Sequence, residues 1–216
     1  NDTSAIVISS KTGKIVFALT GRYAVDFIRF STDGNYLLID QYNAAEVWDW
    51  KSGKMITSLQ GHTLPVLDGI FSPDGRYTVT TSMDNIIRIW ETASGKKLMS
   101  LINIDFNNWD YIIPDDYIFV DSEGHYDGTE AARNLLDFTC GAEIIELSQA
   151  KDQLWVPNLA ERIMKGGSIN GKTLAELNLC GLTPETENIG RSTDEYHFKI
   201  TPRRGGLGET VLYVNG

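Results

Sequence analysis

The chain has 216 residues, a formal net charge of −10 and 42% hydrophobic residues, an ordinary balance for a globular protein long enough to bury a core. It has no apolar run of the ~18 residues that a spanning helix needs, and no charged, apolar and small-residue series opens it. Its two cysteines, Cys140 and Cys180, give neither a disulfide framework nor a metal cluster and fit a reducing, cytoplasmic compartment. In chain order, the first signals repeat. Lys11-Thr12-Gly13-Lys14 and Leu19-Thr20-Gly21 anticipate Lys51-Ser52-Gly53-Lys54 and Leu59-Gln60-Gly61, each Gly 40 residues earlier. Ile28-Arg29-Phe30-Ser31-Thr32-Asp33-Gly34 returns as Gly69-Ile70-Phe71-Ser72-Pro73-Asp74-Gly75, Asp33 to Asp74 being a step of 41. Val47-Trp48-Asp49 returns as Ile89-Trp90-Glu91, with a step of 42 between the tryptophans.

Short alternating apolar runs fill each repeat. Residues 77–81 and 86–90 read as strands. Ser72-Pro73-Asp74-Gly75 is a tight turn, in which Pro73 fixes φ and Gly75 tolerates a positive φ. Ser94-Gly95 turns the chain between the next two strands. A period of ~40–45 residues with Gly-His and Trp-Asp signatures marks a propeller blade, and these residues resemble the WD40 family. The resemblance implies a buried hydrogen-bond relay of His62, Ser82, Asp84 and Trp90, structural rather than nucleophilic. The preceding copy lacks it, with Gly21-Arg22 for Gly-His and Tyr42-Asn43 where the Asp belongs, so apolar packing is expected there. Propellers close with ~4–8 blades. About two blades and a clipped one are visible, so further chains or domains are expected to complete the ring, and the sequence is expected to be a piece of a longer polypeptide.

The repeat stops near Leu101, and the charge changes with it. Residues 1–100 carry ten basic and ten acidic side chains, so the whole excess lies in 101–216. Residues 105–130 hold eight acidic side chains and no Lys or Arg, a surface that repels phosphate backbones and argues against nucleic acid. Residues 109–113 and 117–121 read as strands, and Ser122 to Gly128 as a turn cluster. Thr129 is placed to cap a helix carrying Ala131, Ala132, Leu135, Leu136 and Phe138, with Gly141 near its end. A short apolar segment at 143–147 precedes a helix over about 148–154. Pro157 suits the first turn of a further helix bearing Leu159, Ile163 and Met164 and stopped by Gly166-Gly167. Thr173-Leu174-Ala175-Glu176 is a capping box opening a helix through Leu177. Residues 185–194 read as a mobile or linking loop, followed by strands at 196–200 and 210–214. The expected fold is mainly β: propeller blades over 1–101, an α+β segment over 102–183, and a linker with the first strands of a β-sandwich-like domain over 184–216.

Three stretches resemble bacterial proteins that place a WD40 propeller before a caspase-like cysteine peptidase domain. They are Ser122-Glu123-Gly124-His125-Tyr126-Asp127-Gly128, Gln149 with Pro157-Asn158-Leu159, and Gly205-Gly206-Leu207-Gly208 with Leu212-Tyr213-Val214-Asn215-Gly216. Ser122-Glu123 departs from the family's Pro-Asp, and His125 stands where an aromatic is commoner. The resemblance implies a peptidase domain beginning after Gly216, so no catalytic residue carries over onto this chain.

Candidate chemistry is sparse. Cys140 and Cys180 with His125 and His197 would need a depressed thiol pKa and hydrogen-bond contact to act as a dyad. Cys140 sits at an expected helix end and Cys180 in an apolar run, so both read as structural thiols. Asp121, Glu123 and Asp127 resemble a calcium loop, but Tyr126 stands where the sharp-turn Gly is needed and Ala132 where the bidentate Glu belongs. Gly205 to Gly208 lacks a following Lys-Ser/Thr and does not lead into a helix, which argues against a phosphate cradle. Arg203 and Arg204 read as a solvated turn, and Trp48, Trp90, Trp109 and Trp155 as core. The expectation is a non-catalytic scaffold with no catalytic, cofactor or metal residues, binding protein partners through its propeller surface.

Overall fold

Asp-Gly turns between alternating strands reverse the chain every few residues, so each strand pairs with its sequence neighbour. The structure is a computed structural model that describes residues 5–19, 25–104, 116–140, 143–146, 151–177, 185–191 and 196–201. Strands β1 (Ala5–Ile8) and β2 (Ile15–Leu19) form an antiparallel pair. Strands β3 (Ile28–Phe30), β4 (Tyr36–Gln41), β5 (Ala44–Asp49) and β6 (Lys54–Gln60) form a four-stranded blade in chain order. The next sheet contains β7 (Val66–Phe71), β8 (Tyr77–Ser82), β9 (Ile86–Glu91) and β10 (Lys97–Asn103). It then continues through β11 (Tyr117–Asp121) and β12 (Tyr126–Gly128) to six strands, all antiparallel.

The sequence repeat is also an atomic repeat. In the first blade Ser31 Oγ donates to Asp33 Oδ1 at 2.6 Å and accepts from the Tyr36 N–H at 2.9 Å. In the second, Ser72 Oγ donates to Asp74 Oδ1 at 2.6 Å and accepts from the Tyr77 N–H at 3.0 Å. Gly34 and Gly75 take φ of 68° and 70°, the left-handed region that L side chains avoid. The serine's bond first, and then the Asn35 and Arg76 amides, hold the Asp33 and Asp74 carboxyls below their ordinary pKa.

Blades pack face to face. Phe27, Leu38, Ala45, Val47 and Leu59 of the first meet Val66, Phe71 and Trp90 of the second in one buried cluster. Gly69 of β7 permits this approach, because a Cβ there would come within 2.7 Å of Leu38 Cδ2 and 3.3 Å of Phe27 Cζ. A second cluster joins Ala5 and Phe17 of the two-stranded piece to Leu37 and Ile39 of β4, with Trp48 and Trp50 against it.

The pairing register carries one sheet face from Trp90 and Arg88 across to Ser100 and Ile102, then to Val120, Ile118 and Tyr126. Near its inner strands that face meets the preceding blade. At its outer strands it is covered by helices: Ile118 and Tyr126 pack with Ala132 of α1 (Glu130–Asn134), Leu154 of α2 (Lys151–Leu154), and Leu174 and Leu177 of α4 (Leu174–Leu177). Between them runs α3 (Leu159–Met164), whose Met164 carbonyl accepts from the Tyr77 hydroxyl at 2.9 Å. Strands β11 and β12 therefore join the blade by sheet extension.

Several expectations change. Thr129 does cap α1, accepting from the Ala132 N–H at 3.4 Å, but the helix ends at Asn134. Residues Asp137–Cys140 form strand β13, paired with β14 (Glu143–Glu146), so Phe138 and Cys140 lie in a hairpin. Alternation at Asp137-Phe138-Thr139-Cys140 overrides the helical spacing, and a helix this short has little propagation gain to oppose it. Pro157 precedes α3 rather than entering it, and the N-cap is Asn158 in the left-handed region. Residues 185–191, read as loop, form strand β15 (Glu185–Arg191) against β16 (Tyr196–Thr201), because a paired partner overrides weak intrinsic β-propensity. The capping box is present reciprocally: Thr173 N–H donates to Glu176 Oε2 at 2.9 Å and Glu176 N–H to Thr173 Oγ1 at 3.2 Å. The expected strands at 109–113 and 210–214 lie outside the described residues.

Candidate functional site

The relay forms with one exchanged member. Trp90 Nε1 donates to Thr80 Oγ1 at 2.9 Å, Thr80 Oγ1 lies 2.8 Å from His62 Nε2, and His62 Nδ1 lies 2.9 Å from Asp84 Oδ2. Because indole only donates, the chain has one consistent direction: Trp90 to Thr80, Thr80 to the neutral His62, and His62 to Asp84. The expected Ser82 is elsewhere, donating to the Leu64 carbonyl at 2.9 Å and accepting from the Asp84 N–H at 3.1 Å. Thr80 and Ser82 share a sheet face, two residues apart, and the Thr78–Trp90 register puts Thr80 within reach of the indole.

Arg88 is an addition that the spacing did not disclose. Its Nη1 donates to Asp84 Oδ2 at 2.7 Å and also lies against His62 Nδ1. With the Thr63 amide, three donors thus converge on one carboxylate oxygen. Burial pushes the Asp84 carboxyl up, yet hydrogen bonds from Arg88, His62 and the Thr63 and Ile86 amides outweigh it and hold it well below the carboxylate range. Burial lowers His62 and the Arg88 charge lowers it further, against Asp84. Both shifts act in one direction. The unfolded chain binds protons where the folded chain does not, so the relay's contribution falls with pH, from His62 below 6.5 and from Asp84 below 3.8.

In the preceding blade Ile39 stands where Thr80 stands, fully buried, and Trp48 Nε1 turns instead to Glu46 Oε2 at 2.9 Å. Asp40 is buried there, accepting from the Asp26 and Phe27 amides at 2.9 and 3.0 Å. Burial raises its pKa above the ordinary value despite those bonds.

At the relay end of the blades the loops are tied together. Val66 N–H donates to the Tyr42 carbonyl at 2.6 Å and Met83 N–H to the Pro65 carbonyl at 2.9 Å. Those loops present Tyr42, Leu64 and Met83 outward, 56%, 47% and 56% exposed.

The residues considered for other chemistry are engaged or apart. Asp121 accepts from the Glu123 and His125 amides and from His125 Nδ1, and Asp127 from Trp155 Nε1 and the Asn158 amide. Protein donors thus occupy the carboxylates of Asp121 and Asp127, and among the described residues no three His, Cys, Asp or Glu groups converge as a metal would need. Cys140 lies in β13 and His197 in β16, strands of separate sheets, while Cys180, Arg203, Arg204, 205–208 and Trp109 lie outside the described residues. Trp155, expected in the core, is instead exposed, with the Arg133 guanidinium 4.3 Å from its ring centre.

Residues 53–91, from the turn before β6 to the end of β9, match the WD40 family, described as WD domain, G-beta repeat. This stretch resembles a WD40 repeat. It is staggered against the blades, taking its first strand from one sheet and three from the next, so the repeat unit itself bridges them. Similar proteins include the Uncharacterized WD repeat-containing protein sll1491 of Synechocystis sp., 40% identical over 75 residues, covering 34% of this chain and 22% of that protein. Guanine nucleotide-binding protein subunit beta of Schizosaccharomyces pombe is 35% identical over 69 residues, covering 32% and 23%. The aligned part of this chain therefore spans less than a quarter of the length of these relatives. The solved structure titled "Crystal structure of RRP9 WD40 repeats" aligns over 47% of this chain and 33% of that chain, at 22% identity and a TM-score of 0.44. No described helix is long and apolar enough to cross a membrane.

Proposed function

We propose that the chain is a non-catalytic protein-interaction module, and that it binds a protein partner with the relay end of its blades. The observation that carries this reading is the group of Tyr42, Leu64 and Met83, apolar and exposed on loops braced by hydrogen bonds. Exposed aromatic and Met side chains on a fixed frame suit a partner's apolar anchor. His62 and Asp84 support this as positioning residues, since the Thr63 amide donates to Asp84 Oδ2 at 3.1 Å and so fixes the loop that bears Leu64. The test places a photo-crosslinking residue at Leu64 or Met83 and, as control, at Asn35 or Arg76 in the Asp-Gly turns. A discrete crosslinked partner is expected from the first two sites alone, and Tyr42→Asp abolishes it. Equal crosslinking from both ends, or intrinsic turnover by the purified chain, overturns the reading.

The finer reading, a regulatory region of a bacterial, cytoplasmic caspase-like peptidase, rests on the sequence resemblance of the three stretches given above. It carries with it the three-part division at 101 and 183. It requires a reading frame beyond Gly216 that encodes an α/β domain with a His and a Cys.

A further inference from the structure

At the opposite end of the second blade, Asp121 and His125 form a buried pair. His125 Nδ1 lies 2.9 Å from Asp121 Oδ2, and the side chains are 4% and 6% exposed. Asp121 Oδ1 accepts from the Glu123 and His125 amides at 2.8 and 2.9 Å, which fixes the carboxylate. A carboxylate on Nδ1–H sets the tautomer and leaves the Nε2 lone pair on the far side of the ring. Nε2 is buried and has no hydrogen-bond partner among the described residues, an uncompensated desolvation. It faces Gly171, where even a Cβ would stand 3.6 Å away. His125 and Gly171 together line a cavity of about 290 Å³ whose apolar wall is Leu98, Ile163 and Ile169, with Glu123 and Lys96 exposed at its rim.

We propose that this cavity binds a primary ammonium group on a short aliphatic stem, with Nε2 accepting a hydrogen bond from the ammonium and the apolar wall holding the stem. Charge selects the cation. Asp121 lies behind the ring and lines the cavity, and Glu123 stands at its rim. Lys96 opposes this from an exposed position, where water and salt screen it. The volume lies at the small end of ligand sites, which run to ~300–1,000 Å³, and suits a free alkylamine or one lysine side chain of a partner. The register pairs Met99 with Asp121, so the cavity lies at the Asp-Gly-turn end, away from Tyr42 and Met83, and the two readings fail independently.

The experiment follows the Gly171 amide and Leu98 methyl resonances, with His125 Nε2 in the unsubstituted chain, by NMR in the full chain at fixed neutral pH. Titrants are n-butylamine hydrochloride, acetyl-Gly-Lys-Gly amide and sodium butanoate. Saturable shifts in the millimolar range with n-butylamine, with or without the peptide, assign a free amine as ligand, and shifts with the peptide alone assign a partner's lysine. His125→Phe weakens binding about tenfold or more, as loss of a charge-assisted hydrogen bond should. Should that variant not fold, Glu123→Gln, on the exposed turn, weakens it by up to about fivefold. No saturable shift with either amine, preference for butanoate, or unchanged affinity in both variants overturns the proposal.

Discussion

At the residue scale, the relay depends on one hydroxyl. Thr80 Oγ1 serves both Trp90 Nε1 and His62 Nε2, and all three side chains are buried. Thr80→Val keeps the shape but leaves a donor and an acceptor without partners, so a loss of about 2–4 kcal/mol is expected. Ser82→Ala removes two bonds at the edge of a turn and should cost about 1 kcal/mol. Chemical denaturation of the two variants checks the assignment, and the reverse order of stabilities would return Ser82 to the relay. Spacing alone could not separate the two hydroxyls, because residues two apart on a strand share a face. What separates them is which one the indole meets across the sheet.

At the element scale, the β7–β4 contact sets how closely the blades approach. Gly69 lies opposite Leu38 Cδ2 and Phe27 Cζ, and the Val79 carbonyl is 3.2 Å from the place of its Cβ. Gly69→Ala must displace Leu38 or spread the sheets, and overpacking of this kind costs about 1–3 kcal/mol. Pairing it with Leu38→Val should recover part of that loss in the same denaturation measurement, since the removed methylene frees the space; simple additivity would show that the contact is not the cause. The same scale explains the sheet extension by β11 and β12. Hydrogen bonding to β10 covers an edge that would otherwise stand open, and the helices cover the apolar face that the two added strands create.

At the scale of the whole molecule, the blades present apolar surface. Ile70 of β7 is 55% exposed and Ile15 of β2 is 60% exposed, alongside Ile6, Ile8, Val16 and Leu67. Apolar side chains on unpartnered sheets favour association. The isolated chain is therefore expected to self-associate with rising concentration in sedimentation velocity, and Ile15→Glu with Ile70→Glu should reduce the association. A monomer at all concentrations, unchanged by these substitutions, would remove the case for further blades.

The sequence alone determined the repeat, and with it most of the local structure. Ser31-x-Asp33-Gly34 and Ser72-x-Asp74-Gly75 specify their turns through bonds made within six residues, and Thr173 with Glu176 specifies a cap in the same local way. Only the tertiary structure decided what depends on partners distant in the chain. Thr80 rather than Ser82, Arg88 on Asp84, β15 as a strand, and His125 facing a cavity beside Gly171 each arise from groups brought together by sheet register or helix docking. Local hydrogen bonds can be read from spacing because the backbone fixes their geometry; contacts across sheets cannot, because a two-residue period leaves several side chains as equal candidates until packing selects one.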